Sequence, residues 1–241
     1  MTRQRARLHH GTSGFAYKEW KGRFYPADLP ASRMLAWYAE RFPAVEINST
    51  FYRIPRPDLL EQWATQVPPG FVFSFKASRW ITHMKRLLDP AEPIRFLLDN
   101  TSQLGAARGP FLFQLPPNLK KDTSRLAEFF THLPSDVRAA FEFRHPSWHD
   151  DDVFAVLRDA GAALVVADSA EFMTPRVATA DWGYLRLRRE AYTDTDLAGW
   201  IDWIHARNWT DCFTFFKHED AGTGPALARR FSELSGGSAT G

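Results

Sequence analysis

Cysteine is nearly missing: Cys212 is the one thiol in 241 residues. That excludes an intrachain disulfide framework and a cysteine-built zinc cage. Long apolar runs are missing too. The longest, 160–167, falls far short of the roughly 20 residues a membrane span needs. The basic start MTRQRARLHHG is not followed by the apolar stretch of a secretory leader. A cytoplasmic protein without a membrane partner is expected. Neither sign of charge prevails, with 30 Lys and Arg against 28 Asp and Glu. This argues against a dedicated nucleic-acid binder and leaves room for a local basic patch. Nucleophile-elbow, Rossmann and Walker signatures are absent, as are His-x-His and His-Glu-x-x-His spacings. No cofactor and no metal is expected, and the sequence carries no signal for oligomeric state.

Aromatic residues are plentiful: 9 Trp, 6 Tyr and 20 Phe, or 15% of the chain. Strand-like and helix-like patterns alternate along nearly its whole length. Strands are predicted at 8–13, 44–49, 71–76, 110–115, 138–144, 163–168, 183–188 and 211–217. Amphipathic helices are predicted at 34–42, 58–66, 94–104, 126–133, 153–160, 196–207 and 226–234, with apolar residues three and four apart. Only the connection around 170–182 lacks a helical pattern. Eight strands joined by crossover helices predict an α/β protein built on a parallel sheet, and eight is the number that closes into a barrel. The expectation is a single TIM-type (β/α)8 barrel over residues 1–234, with long strand-to-helix loops at its C-terminal mouth and a disordered tail at 235–241. An open doubly wound sheet is the alternative. The long loops at 14–31, 50–57 and 77–90 collect Phe15, Tyr17, Trp20, Phe24, Tyr25, Phe51, Tyr52 and Trp80. These rings serve either as a packed lid on the barrel rim or as a cover over a ligand.

Side chains two apart on a strand share a face. Phe71, Phe73 and Phe75 thus oppose Val72, Ser74 and Lys76, while Leu185 and Leu187 oppose Tyr184, Arg186 and Arg188. Val45 and Ile47 oppose Glu46 and Asn48, and Phe141 and Phe143 oppose Glu142 and Arg144. With Gln114, Asp168 and Lys217 added, most strands end in a charged or amide group. Buried charges need partners, so one reading is a self-neutralising network. The other is a pocket at the end of the fold where barrels carry their sites.

The motifs in order are Gly11-Thr12-Ser13-Gly14-Phe15-x-Tyr17-x-x-Trp20, Glu46-Ile47-Asn48-Ser49-Thr50-Phe51-Tyr52-Arg53-x-Pro55, and Phe73-x-Phe75-Lys76 with Ile81-Thr82-His83. Leu112-Phe113-Gln114-Leu115-Pro116-Pro117, Glu142-Phe143-Arg144-His145-x-Ser147-Trp148, Asp168, Tyr184-x-Arg186 and Phe215-Phe216-Lys217-His218-Glu219-Asp220 follow. This series resembles the YecE-like family, also known as domain of unknown function 72, over residues 8–234. The resemblance implies a TIM-type barrel and brings no established activity, cofactor or substrate. Two strand ends depart from many relatives: Arg186-Leu187-Arg188-Arg189 replaces an Arg-x-His-Gly type of ending, and Lys217-His218-Glu219-Asp220 an Asn-rich one.

The last turn suggests an anion site. Lys217 and His218 end the eighth strand, and Gly222-Thr223-Gly224-Pro225 opens a helix whose free amides suit a phosphate or carboxylate. The expected ligand is a small anionic, sugar- or nucleotide-like molecule. Glu46, Glu142 and Asp168 are candidates for proton transfer, and Lys76 for that or for a Schiff base. Asn48, Tyr52, Gln114, Arg144, His145, Trp148, Arg186, Lys217, His218, Gly222 and Gly224 are the candidate ligand-binding residues. Hydrolase, lyase or isomerase chemistry fits this set. The alternatives are a metal-dependent phosphodiesterase or isomerase using the carboxylates with His145 and His218, and a non-catalytic nucleic-acid-binding protein that stacks bases on exposed aromatics.

Overall fold

The computed structural model describes residues 5–217 and 222–236. Within them lie eight strands: β1 (Arg7–Thr12), β2 (Ala44–Ile47), β3 (Val72–Lys76), β4 (Arg108–Gln114), β5 (Ala139–Glu142), β6 (Ala163–Asp168), β7 (Trp182–Leu187) and β8 (Asp211–Phe216). They alternate with α1 (Met34–Ala39), α2 (Pro57–Thr65), α3 (Ala91–Thr101), α4 (Thr123–Phe130), α5 (Asp151–Asp159), α6 (Asp194–His205) and α7 (Thr223–Leu234). Only the β6–β7 connection carries no helix. All ladder pairings are parallel, and β8 pairs back onto β1, so the sheet runs round to a TIM-type barrel. No described helix is long and apolar enough to cross a membrane.

The period-2 pattern sorts the strands into two layers. Ala44, Leu112, Ala140, Val165, Tyr184, Phe213 and Phe215 fill the barrel interior. Phe73, Phe75, Phe113 and Phe141 face the other way and are buried in the cluster shared with the helices. Their rings contact one another, as where Phe113 stacks on Phe141 at 5.2 Å. The phenylalanine surplus is thus the layer between sheet and helices.

The seam between β1 and β2 is closed differently from the rest. One backbone bond, Gly14 N–H to Glu46 O at 2.8 Å, joins the strand ends. Lower down, the buried Tyr38 hydroxyl accepts from Thr12 N–H at 2.7 Å and donates to Ala44 O at 3.0 Å, replacing a missing rung. The strands approach so closely there that a Cβ on Gly11 would fall on the Ala44 carbonyl. Glycine is required at that position for lack of space.

Helices begin up to three residues before their apolar periodicity does. The first turn is polar because it carries the cap: Asp122 accepts from Arg125 N–H, and Thr193 and Asp196 form a capping box. The loop 13–33 is a packed unit. Trp20 and Tyr25 are buried, Tyr17 lies 4.7 Å from Trp20, and Phe24 stacks on Phe42 of the α1–β2 connection. These rings hold the loop onto α1, so the lid alternative describes them, and of the rim aromatics Tyr52 and Trp80 are the strongly exposed ones.

Candidate functional site

Three strands on different sides of the barrel send charged side chains to its axis, just above the apolar filling. Arg186 of β7 donates through Nη1 to Glu142 Oε2 of β5 at 2.5 Å, and through Nη2 to Glu46 Oε1 of β2 at 2.8 Å. The carboxylates are 0% exposed and Arg186 2%. Glu46 also accepts from Ser13 Oγ (2.7 Å), Asn48 Nδ2 (3.0 Å) and Tyr184 OH (2.7 Å). Glu142 also accepts from Gln114 Nε2 (2.8 Å) and Arg144 Nε (2.6 Å).

Burial by itself raises a carboxyl pKa, but here the Arg186 charge and the donated hydrogen bonds outweigh it. Glu46 is held below the ordinary carboxylate value and Glu142 is pulled down to about 2. Burial opposes the charge on Arg186, and the two glutamates more than restore it, so its pKa lies above the usual value. A general acid at neutral pH needs the opposite shift. With pKa values lowered in this way, Glu46 and Glu142 stand as ionised partners of Arg186 at neutral pH, the opposite of the state a general acid requires.

Asp168 does not join them. In the β6–β7 register Ala167 pairs with Arg186 and Asp168 with Leu187. Ala163 and Val165 fill the barrel, whereas Leu164 and Val166 belong to the layer under the helices, whose parity Asp168 shares. Its Oδ2 accepts from Arg189 Nε at 3.0 Å, and Arg189 also reaches Asp196 of α6 at 3.2 Å. The expectation that Asp168 points into the pocket is corrected by this parity.

Above the glutamates lies a layer of cations. Lys76 Nζ donates to Gln114 Oε1 at 2.8 Å and sits 4.2 Å from the Phe51 ring centroid. Burial and then Arg186 lower its pKa to about 8, although Glu142 and Glu46 pull the other way. Arg144 and Arg188 are half-buried, and both lie within electrostatic reach of Glu142. Arg188 is lowered by burial and by Arg186. Four cationic side chains, Lys76, Arg144, Arg186 and Arg188, thus surround two carboxylates. With Lys76 protonated, these six side chains carry a formal excess of two positive charges among the described residues. His83 stands edge-on to Phe51 at 4.8 Å, its pKa lowered by burial and by Lys76. It belongs to one turn of π-helix, Trp80–Met84, followed by left-handed backbone at Arg86, Leu87 and Asp89. Such irregular backbone concentrates at functional rims.

The remaining predicted residues scatter. Tyr52 is 75% exposed on the rim, with Arg79 6.0 Å from its ring. His145 caps the short turn Pro146–Trp148 by accepting from Ser147 N–H at 3.1 Å. Trp148 is fully buried, stacked on Phe143 at 4.7 Å and donating to Leu119 O, so it packs the core and offers no face to a ligand. Lys217 follows β8, and its N–H donates to Leu187 O. The cap of α7 is Gly222, with φ of 76°, and Gly224 is buried within the helix. His218 lies outside the described residues. Ser13, Ser74, Phe51, His83, Tyr184 and Arg188 belong to the site without having been singled out for it. Among the described residues, no three His, Cys, Asp or Glu side chains are grouped to hold a metal ion. Glu46 and Glu142 are committed to Arg186 instead.

The family model for a protein of unknown function, DUF72, matches residues 9–240. The chain belongs to the DUF72 family. It is 30% identical to UPF0759 protein YecE of Escherichia coli over 138 residues, 55% of this chain and 51% of that one. It is also 30% identical to UPF0759 protein YunF of Bacillus subtilis over 132 residues, 52% and 47% of the two chains. The matched part spans about half the length of these curated relatives. Among solved structures, a DUF72 protein of Thermotoga maritima, TM1631, superposes with a TM-score of 0.83 at 25% identity, covering 95% of this chain and 98% of that one. A DUF72 protein of Enterococcus faecalis superposes at 0.74 with 17% identity, covering 95% and 97%, which bears on the fold alone. The family carries no established activity.

Proposed function

We propose that the barrel mouth binds a small anionic molecule, of the size of a phosphate ester or carboxylate, through Lys76, Arg144 and Arg188. The observation that carries this reading is the charge balance. Arg186 and Arg144 together match the two carboxylates Glu46 and Glu142 in charge. Among the described residues Lys76 makes no ion pair beside them, and the cations at this level outnumber the carboxylates. A purely structural network would end neutral, because each unmatched buried charge costs free energy. Gln114 and Asn48 provide fixed amides beside the cations, and His83 a ring nitrogen. Acid–base chemistry in this pocket falls to Lys76 and His83, whose pKa values lie below their ordinary ones.

Calorimetric titration with inorganic phosphate and with a sugar phosphate tests this. Saturable binding is expected, weakened about tenfold or more by Arg144→Gln, as for a lost charge-assisted hydrogen bond. Affinity that Arg144→Gln leaves unchanged would contradict the reading. A second reading draws on Tyr52 and on Trp80, 51% exposed, with Arg79 and Lys85 each 6.0 Å from one of those rings. Rings and cations of this kind suit a single-stranded nucleic acid. Steep loss of RNA or DNA binding with salt, without binding of small anions, would favour it.

A further inference from the structure

We propose that Lys76 is a carbonyl-condensing amine, forming an imine with an aldehyde or ketone that also carries a carboxylate or phosphate. The inference rests on the anion-binding reading of the mouth and names the substrate class. Its basis is the company Lys76 keeps. Among the described residues it makes no ion pair, although two carboxylates lie in the same pocket. Both are occupied by Arg186, and Glu142 by Arg144 as well. The Nζ partner is instead a neutral amide oxygen. Gln114 is fixed in that orientation because its Nε2 already donates to Glu142. A neutral amine can still donate to Gln114 Oε1, which leaves the nitrogen lone pair free for the pocket. The ring of Phe51 screens one side of Nζ from water.

The titratable and charged groups facing Lys76 come from several elements: Glu46 from β2, Glu142 and Arg144 from β5 and its end, Arg186 from β7, and His83 from the following loop. With burial, they bring its pKa to about 8. At pH 7 roughly one molecule in ten then carries the neutral amine, against roughly one in a few thousand for an ordinary lysine. Desolvation beside other cations is a recognised way to activate such a nucleophile. In the step itself the Nζ lone pair attacks the carbonyl carbon. The nitrogen gives up one proton as the carbonyl oxygen gains one, forming the carbinolamine; the nitrogen's second proton then accompanies that hydroxyl as water leaves, and the C=N bond replaces C=O. No oxidant or reductant is consumed. Arg144 and Arg188 would hold the anionic group of the same molecule.

The test is reductive trapping of the full chain with glyoxylate, a small anionic aldehyde, and cyanoborohydride, with sites read by peptide mass spectrometry. Formaldehyde serves as the uncharged comparison and inorganic phosphate as competitor. Glyoxylate is expected to modify Lys76 about tenfold faster than the exposed Lys18 and Lys120. Phosphate should protect Lys76 alone, and Arg144→Gln should slow glyoxylate more than formaldehyde. If phosphate binds and Lys76 reacts no faster than Lys18 or Lys120, the amine proposal is overturned and the anion reading stands. If Lys76 reacts fast with both aldehydes and phosphate neither binds nor protects, the substrate class and the anion reading fail together.

Discussion

The two ends of the barrel both gather arginines around carboxylates, and they do so for different ends. At the N-terminal end Asp211 accepts from His9 (2.9 Å) and Arg138 (2.9 Å), with Arg7 3.4 Å away. The Arg7 and Arg138 side chains are 76% and 42% exposed, and Arg138 lies over Trp182 and Phe213. There the charges reach outward from an apolar plug and water shares the work. At the mouth Arg186, Glu46 and Glu142 converge inward above the apolar filling and lose nearly all contact with water. The same residue types therefore mean different things. Exposed cations on one carboxylate decorate an end of the fold, whereas the buried carboxylates held by Arg186 lie beneath further cations, the arrangement on which the proposed anion site rests.

Removing one arginine from each end should separate the two cases most sharply. Arg186→Met strands Glu46 and Glu142 in the interior and is expected to cost about 3–5 kcal/mol in urea unfolding. Arg138→Met, at a screened pair, should cost about 1 kcal/mol or less. Equal losses would erase the contrast. Tyr184→Phe removes a buried donor from Glu46 and should cost about 1–2 kcal/mol, again by urea unfolding.

Acid should expose the two ends in order. Burial above all holds His9 below its ordinary pKa and brings His10, behind it on β1, to about 4. The unfolded chain then binds more protons below about pH 6.5, so stability falls first from there downward. Glu142, depressed to about 2, contributes stability that is whole above about pH 4.3 and is lost as pH falls toward its folded value. Urea midpoints measured from pH 8 to pH 2 should therefore decline in two stages. Replacing His10 by Gln should remove much of the upper stage only. The smallest effect belongs to Asp168→Asn, which loosens Arg189 at the rim and should leave phosphate affinity within about twofold, since Asp168 makes no contact in the pocket.

The barrel was legible in the sequence because its strands are short, regularly spaced and separated by turns with Pro or Gly. Glu46, Lys76, Glu142 and Arg186 were legible because each interrupts a strand whose opposite face is Phe, Leu, Val or Ile. Asp168 misled for the same reason inverted. Strand β6 is apolar on both faces, as parallel strands covered on both sides are. Its alternation carried no information, and only the register with Arg186 assigns the parity. His145 and Trp148 follow Arg144 within four residues, but one short turn diverts them into capping and packing. Ser13 and Tyr38 act across the β1–β2 seam, a contact between segments that no local pattern encodes. The ion pairing that turns Glu46 and Glu142 into anchors is likewise a property of three strands meeting.

The most direct measurement is the position of a heavy oxyanion such as tungstate, located by its anomalous signal in crystals of the protein. Density within hydrogen-bond distance of Lys76, Arg144 or Arg188 at the mouth is the predicted result. Occupancy confined to Arg7 and Arg138 at the opposite end, or to exposed loops, would contradict the account.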